Sequence, residues 1–142
     1  MGKKKENIKR VSMVDTKIEA TNKFDIDLKF GLIFERKIRD IFENGGKIEV
    51  KTERDSWHRT GNIAIEIECS GKPSGLSVTT ANYWIHVLSL KGEMQMALLF
   101  PVVKLKKLVK RAIRMPDAKI VYGGDRKASK LILLPISEIL LL

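Results

Sequence analysis

The chain has one cysteine, Cys69, and two histidines, His58 and His86, in 142 residues. A lone cysteine excludes an internal disulfide and fits a reducing compartment. With the histidines far apart in sequence, these three residues also fail to make a zinc site, so any metal would be held by oxygen. Long apolar runs are missing too. None approaches the roughly 18 residues that a membrane-spanning helix needs, and the most apolar stretch, 132–142, is broken by Pro135, Ser137 and Glu138 and reads as core. The basic residues 1–10 are not followed by the apolar segment of a secretory signal. Acids are scarce, 17 Asp and Glu against 27 Lys and Arg, for a net charge of +10. That imbalance points to a polyanionic partner, most commonly nucleic acid, with a membrane surface as the rival. The length suits one core and is short for two.

The few acids are patterned. In Lys47-Ile48-Glu49-Val50-Lys51-Thr52-Glu53 and in Asn62-Ile63-Ala64-Ile65-Glu66-Ile67-Glu68-Cys69, charges stand at every second position and the alternate residues are mostly apolar. Period-two alternation predicts two strands, with Glu49, Lys51 and Glu53 on one face and Glu66 and Glu68 on another. If these strands pair, with residues 54–61 as a polar loop between them, up to four carboxylates and one lysine share a patch. Such a patch is costly unless a cation or solvent neutralises it.

Residues 1–22 are polar and weakly periodic and are expected to form a flexible basic arm. Leu28, Leu32, Phe34, Ile38, Ile41 and Phe42 recur at helical spacing, with Asp27 as N-cap and Asn44-Gly45-Gly46 as stop. Glu35 falls close to this apolar stripe, where an acid should be partly desolvated or aimed at something. After the acidic strands come a turn-rich loop at 70–75, a short helix at 77–82, a buried strand at 83–90, a hairpin turn at 91–93 and a strand at 94–102. An amphipathic basic helix at 103–114 and two short strands around Gly123-Gly124-Asp125 complete the order.

Phosphodiester hydrolysis gives these residue types a purpose. Mg2+ prefers one or two carboxylates with several retained waters, neutralises non-bridging oxygens and lowers the pKa of a bound water. Glu49 and Glu66 could supply such ligands, Lys51 could orient water or stabilise developing charge, and Glu35 could approach from the helix. The order of a helix bearing Glu, strands carrying Glu-x-Lys, then a helix and a further strand resembles the PD-(D/E)XK nucleases. The run Glu49-Val50-Lys51-Thr52-Glu53-Arg54-Asp55, Thr60-Gly61-Asn62, Glu66, Gly71-Lys72-Pro73-Ser74-Gly75, Thr79 and Ala81-Asn82-Tyr83-Trp84 is similar to small phage-encoded endonucleases of that kind.

The resemblance covers roughly residues 25–135. It implies an α/β, restriction-endonuclease-like core, a central mixed sheet flanked by helices, in a single nuclease-like domain at 23–142. It also implies a Mg2+- or Mn2+-dependent endonuclease of phage DNA metabolism, working in the host cytoplasm. In the family pattern an acid precedes Glu-x-Lys on the next strand, whereas in this chain Glu-x-Lys comes first. Either Glu49 takes the place of the upstream acid and Glu66-x-Glu68 that of the signature, or Glu49-x-Lys51 is the signature and Glu66 the remaining acid. Both assignments keep Glu35, Glu49, Lys51 and Glu66 as catalytic residues, with Glu35, Glu49, Glu66 and Glu68 as metal ligands and Glu53 and Asp55 in reserve.

DNA would be held by cations around the patch: Arg54, His58, Arg59 and Lys72 in the loops, and Lys104, Lys107, Lys110 and Arg111 on the basic helix. A nuclease that cuts both strands of a duplex would favour a homodimer. Two other readings keep the basic surface: a nucleic-acid-binding module with a degenerate site, and an interaction protein for an acidic partner. Trp57, in the polar loop, could stack on a base or form a hinge or dimer contact, whereas Tyr83, Trp84 and Cys69 read as core.

Overall fold

The computed structural model describes residues 23–140, and their side chains from Leu28 onward, so the expected basic arm lies outside the described residues. The chain divides between Asp40 and Ile41 into two compact units, each described by itself. Helix α1 (Lys23–Glu43) belongs to the first as far as Asp40. Asp27 lies inside this helix and not at its cap, and no Gly or Pro stands between Lys23 and Asp27 to interrupt it. Phe30 and Phe34, four residues apart, place their rings 4.9 Å apart. Glu35 is exposed rather than desolvated. At the other end the left-handed Gly45 and a Gly46 N–H bond to the Ile41 carbonyl end the helix as the sequence predicts.

The second unit is built on two sheets, not the single central mixed sheet expected. In the first, β1 (Ile48–Glu53) pairs in parallel with β4 (Tyr83–Leu90), which pairs antiparallel with β5 (Glu93–Pro101). In the second, all antiparallel, β2 (Asn62–Cys69) lies between the two-residue β3 (Lys72–Pro73) and β7 (Ser129–Pro135), and β6 (Lys119–Gly123) closes the far edge. The architecture is thus α/β, with a mixed and an antiparallel sheet flanked by helices. The acidic strands β1 and β2 do not form a hairpin. The link between them is no plain loop either: helix α2 (Ser56–Thr60) buries Trp57, whose indole N–H donates to the Ser89 carbonyl at 2.7 Å. Trp57 is therefore anchored in the fold and not presented to a ligand.

Helix α3 (Val102–Ile113) buries Val102, Leu105, Leu108 and Val109 and packs against β4, β5 and β7, joining the inner faces of the two sheets. Trp84, Leu88 and Phe100 line one of those faces, and Ile63, Ile65, Ile132 and Leu134 the other. Each such side chain contributes roughly 1.5–3 kcal/mol by leaving water. Val103, placed by periodicity on the apolar side, is exposed, because the helix starts at Val102 and turns that residue inward instead. Residues 77–82 do not form a helix. A 3-10 turn at Gly75–Ser77 precedes β4, and a last short helix α4 (Ile136–Ile139) follows β7. No helix among the described residues is long and apolar enough to cross a membrane.

Candidate active site

The register of β1 on β4 sets Glu49 beside Trp84, Lys51 beside His86 and Glu53 beside Leu88. Residues paired across a ladder share a face, so the charged face of β1 is the inward one, continuous with the buried face of β4. A solvated outer face would have left these three groups equivalent; instead the environment changes along the strand. Glu53, at the inner end, is an internal strut. Its Oε2 accepts the Ala64 N–H at 2.8 Å and meets His86 Nε2 at 3.1 Å, while Trp84 Nε1–H donates to His86 Nδ1 at 3.3 Å. These bonds assign the His86 proton to Nε2. The Ala64 N–H is free to bond Glu53 because β3 covers only Glu68 and Cys69 of β2. The two acidic strands therefore meet through a side chain, across a seam between sheets.

Asp55, also in reserve as a ligand, is structural as well. Its Oδ1 accepts the Lys91 N–H at 2.7 Å and so ties the α2 segment to the β4–β5 hairpin.

Further out on β1, Lys51 Nζ lies 3.1 Å from Glu49 Oε1, and 5.9 Å from the centre of the Trp84 ring, within cation–π range. Lys51 is also near enough to Glu66 to act on its charge. The Glu66 carboxyl is held below the usual carboxylate range, first by a hydrogen bond from Ser74, then by one from Ser129, with Lys51 adding to both and partial burial opposing them. Ser74 Oγ donates to Glu66 Oε1 at 2.5 Å.

The Ser74 contact depends on Gly75. That residue has φ of +53°, and a Cβ on it would collide with the Glu66 backbone, so only glycine lets the 70–77 loop lie this close to β2. The loop is held there by the Ser74 N–H and Ser77 Oγ, which both donate to the Ile67 carbonyl, at 3.1 and 2.6 Å. Sequence reasoning reads the loop as a turn and passes over Ser74 and Ser129. The Ser-Gly pair at 74–75 is the available signal for the first; Ser129 pairs with Cys69 in the β2–β7 ladder, where its Oγ donates to Cys69 Sγ at 3.9 Å, and nothing local marks its influence on Glu66.

Lys51 is thus ion-paired with Glu49 and acts on the charge of Glu66. Glu68 follows a bulge in the β2–β7 ladder and faces Lys130, with its Oε2 4.0 Å from Nζ. Glu35 lies on α1 in the first unit, whereas Glu49, Lys51 and Glu66 all belong to the second. Of the basic candidates, Arg54, His58 and Arg59 are exposed on and beside α2, Lys72 on β3, and Lys104, Lys107, Lys110 and Arg111 lie along α3.

As a donor set, two carboxylates, one of them held ionised, beside an ammonium fit a hard cation such as Mg2+, which takes one or two carboxylates and keeps its waters. Among the described residues no three His, Cys, Asp or Glu side chains gather as a metal-ligand group, so the fit is to a two-carboxylate site. A scan of protein-family models, a search of curated proteins and a search of solved structures each return no match to this chain.

Proposed function

We propose that this chain is a metal-dependent nuclease with a restriction-endonuclease-like core, hydrolysing DNA phosphodiester bonds as an endonuclease of phage DNA metabolism in the cytoplasm of the host. The observation that carries the reading is the position of Lys51, ion-paired with Glu49 and acting on the lowered carboxyl of Glu66. Glu49 and Glu66 would hold Mg2+ or Mn2+, which would neutralise the non-bridging oxygens and lower the pKa of a bound water. The Lys51 ammonium stands where it can orient a water or offset charge developing on a phosphate. Ser74 favours the anionic form of Glu66 and fixes its direction, and Glu53 ties β1 to β2. The net charge of +10 favours a polyanionic substrate.

The test is plasmid nicking with Mg2+ or Mn2+. Wild type should nick, and Glu49→Ala, Lys51→Ala and Glu66→Ala should each lower the rate by about 100-fold or more, equivalent to about 2.7 kcal/mol of transition-state stabilisation. Mn2+ affinity, measured by calorimetry, should fall in Glu49→Gln and Glu66→Gln and persist in Lys51→Ala. A wild-type protein that binds plasmid and nicks it no faster than Glu49→Ala is a binding module, and the enzyme reading fails.

A further inference from the structure

Among the described residues the β5 edge of the β1–β4–β5 sheet is open. β5 is nine residues long, and among the described residues no strand pairs with its outer side. Natural sheets protect such an edge with lysine, internal proline or very short strands. Between Met94 and Phe100 this strand has none of these, and its one charged residue is Glu93, at the start. Its two halves also differ. Residues 93–97 are exposed, with Met96 at 47%. Residues 97–101 line a groove of about 690 Å3, floored by Leu108 and Ile139 and walled by Lys104, Lys107 and Arg111. Five consecutive strand residues can line one groove only where it runs along the backbone edge, since side chains alternate between faces.

We propose that this edge pairs with the same edge of a second copy of the chain, antiparallel about a two-fold axis at Leu98, to give a continuous six-stranded sheet. The strand is self-complementary in that arrangement. Met96 of one copy falls opposite the partner's Phe100, on the face that Met96, Leu98 and Phe100 share, so the exposed methionine of each copy enters the groove of the other. The bulge opposite Leu88 and Ser89 lies beyond Met96, towards Glu93, outside the central paired segment. The same axis carries Glu93 to the first turn of the partner's α3, where Lys104 stands. A two-fold contact of this kind closes on itself and leaves no free β5 edge for further addition.

Sedimentation equilibrium of the full chain tests this directly. Wild type should show a concentration-dependent monomer–dimer equilibrium. Glu93→Lys and Lys104→Glu, both exposed positions that should leave the circular dichroism spectrum unchanged, should each weaken dimerisation by about fivefold or more. The double swap Glu93→Lys/Lys104→Glu should restore at least half of the loss. Met96→Lys, which puts two ammonium groups into the two grooves, should give monomer. A wild type that stays monomeric at the highest concentration, leaving the edge for some other chain, overturns the proposal. A dimer insensitive to all four variants overturns it too.

Discussion

A carboxylate offers two acceptor oxygens, and what those oxygens meet decides whether the side chain can serve a ligand. Glu53 is engaged by a backbone N–H and a buried imidazole inside the fold, whereas Glu66 is reached by hydroxyls and by the half-exposed Lys51. Both stand in similar alternating strings, and the sequence could rank Glu49, Lys51 and Glu66 above Glu53 only by analogy with a motif. The difference between them is tertiary. His86, far along the chain from Glu53, and Ser129, far along it from Glu66, act on those acids only once the sheets have formed.

Two residue-scale predictions follow from that contrast. Glu53→Ala would leave the Ala64 N–H and the His86 Nε2–H unpaired, each at about 1–3 kcal/mol. Urea denaturation should therefore show a loss of roughly 2–6 kcal/mol, with less lost in Glu53→Gln, whose amide oxygen can still accept. Ser74→Ala removes the largest influence holding Glu66 down, so the carboxyl should titrate closer to the ordinary carboxylate value. A carboxyl lowered in the folded state stabilises the fold above its unfolded pKa and loses that contribution as pH falls through the lowered one. Ser74→Ala should therefore be less stable than wild type at neutral pH and nearly equal to it below both pKa values. The acid limb of the nicking profile should move to higher pH, which a merely structural serine would not cause.

At the scale of elements, strand periodicity located β1, β2, β4 and β5, and the Lys91-Gly92 turn was legible because a two-residue hairpin needs positive φ at both positions, 52° and 81° in this chain. Pairing was not legible. The nearest strand in sequence was the natural partner for β1, yet β2 went to β7 and left β1 to β4 by a parallel crossover through the second sheet. The short helix α2 was hidden for a related reason: residues 54–61 are mostly polar, and it is one buried indole that makes them an anchor rather than a loop. The 70–77 loop gives the element-scale prediction. Gly75→Ala forces a side chain into the Glu66 backbone at a positive φ, and it should destabilise by more than the ~1 kcal/mol of an ordinary left-handed glycine replacement. Nicking, measured where the variant remains folded, should also fall, because Ser74 leaves Glu66 as the loop lifts. Gly71, at φ of +76° with nothing near its Cβ direction, is the control: Gly71→Ala should cost stability alone.

Across the whole molecule the sequence's charge imbalance becomes spatial. Helix α3 has no acid, buries its apolar stripe between the sheets, and turns Lys104, Lys107, Lys110 and Arg111 to the outside. A face of this kind binds nothing specific in itself, but on a polyanion each cation that meets a phosphate releases a condensed counterion, so affinity falls with salt at a slope of about −0.9 per contact on duplex DNA. Neutralising all four to Gln should weaken duplex binding uniformly across sequences. If all four touch phosphates, the log–log salt slope should become shallower by about 3 to 4. The bond-breaking step should be spared, because none of the four lies on the strands that carry Glu49, Lys51 and Glu66. Single-turnover nicking at saturating DNA should then match wild type within a few-fold while the apparent affinity drops. An unchanged salt slope, read by fluorescence anisotropy between about 50 and 200 mM salt, would move the binding surface to the Arg54, His58, Arg59 and Lys72 side and leave α3 as a solvated wall of the β5 groove.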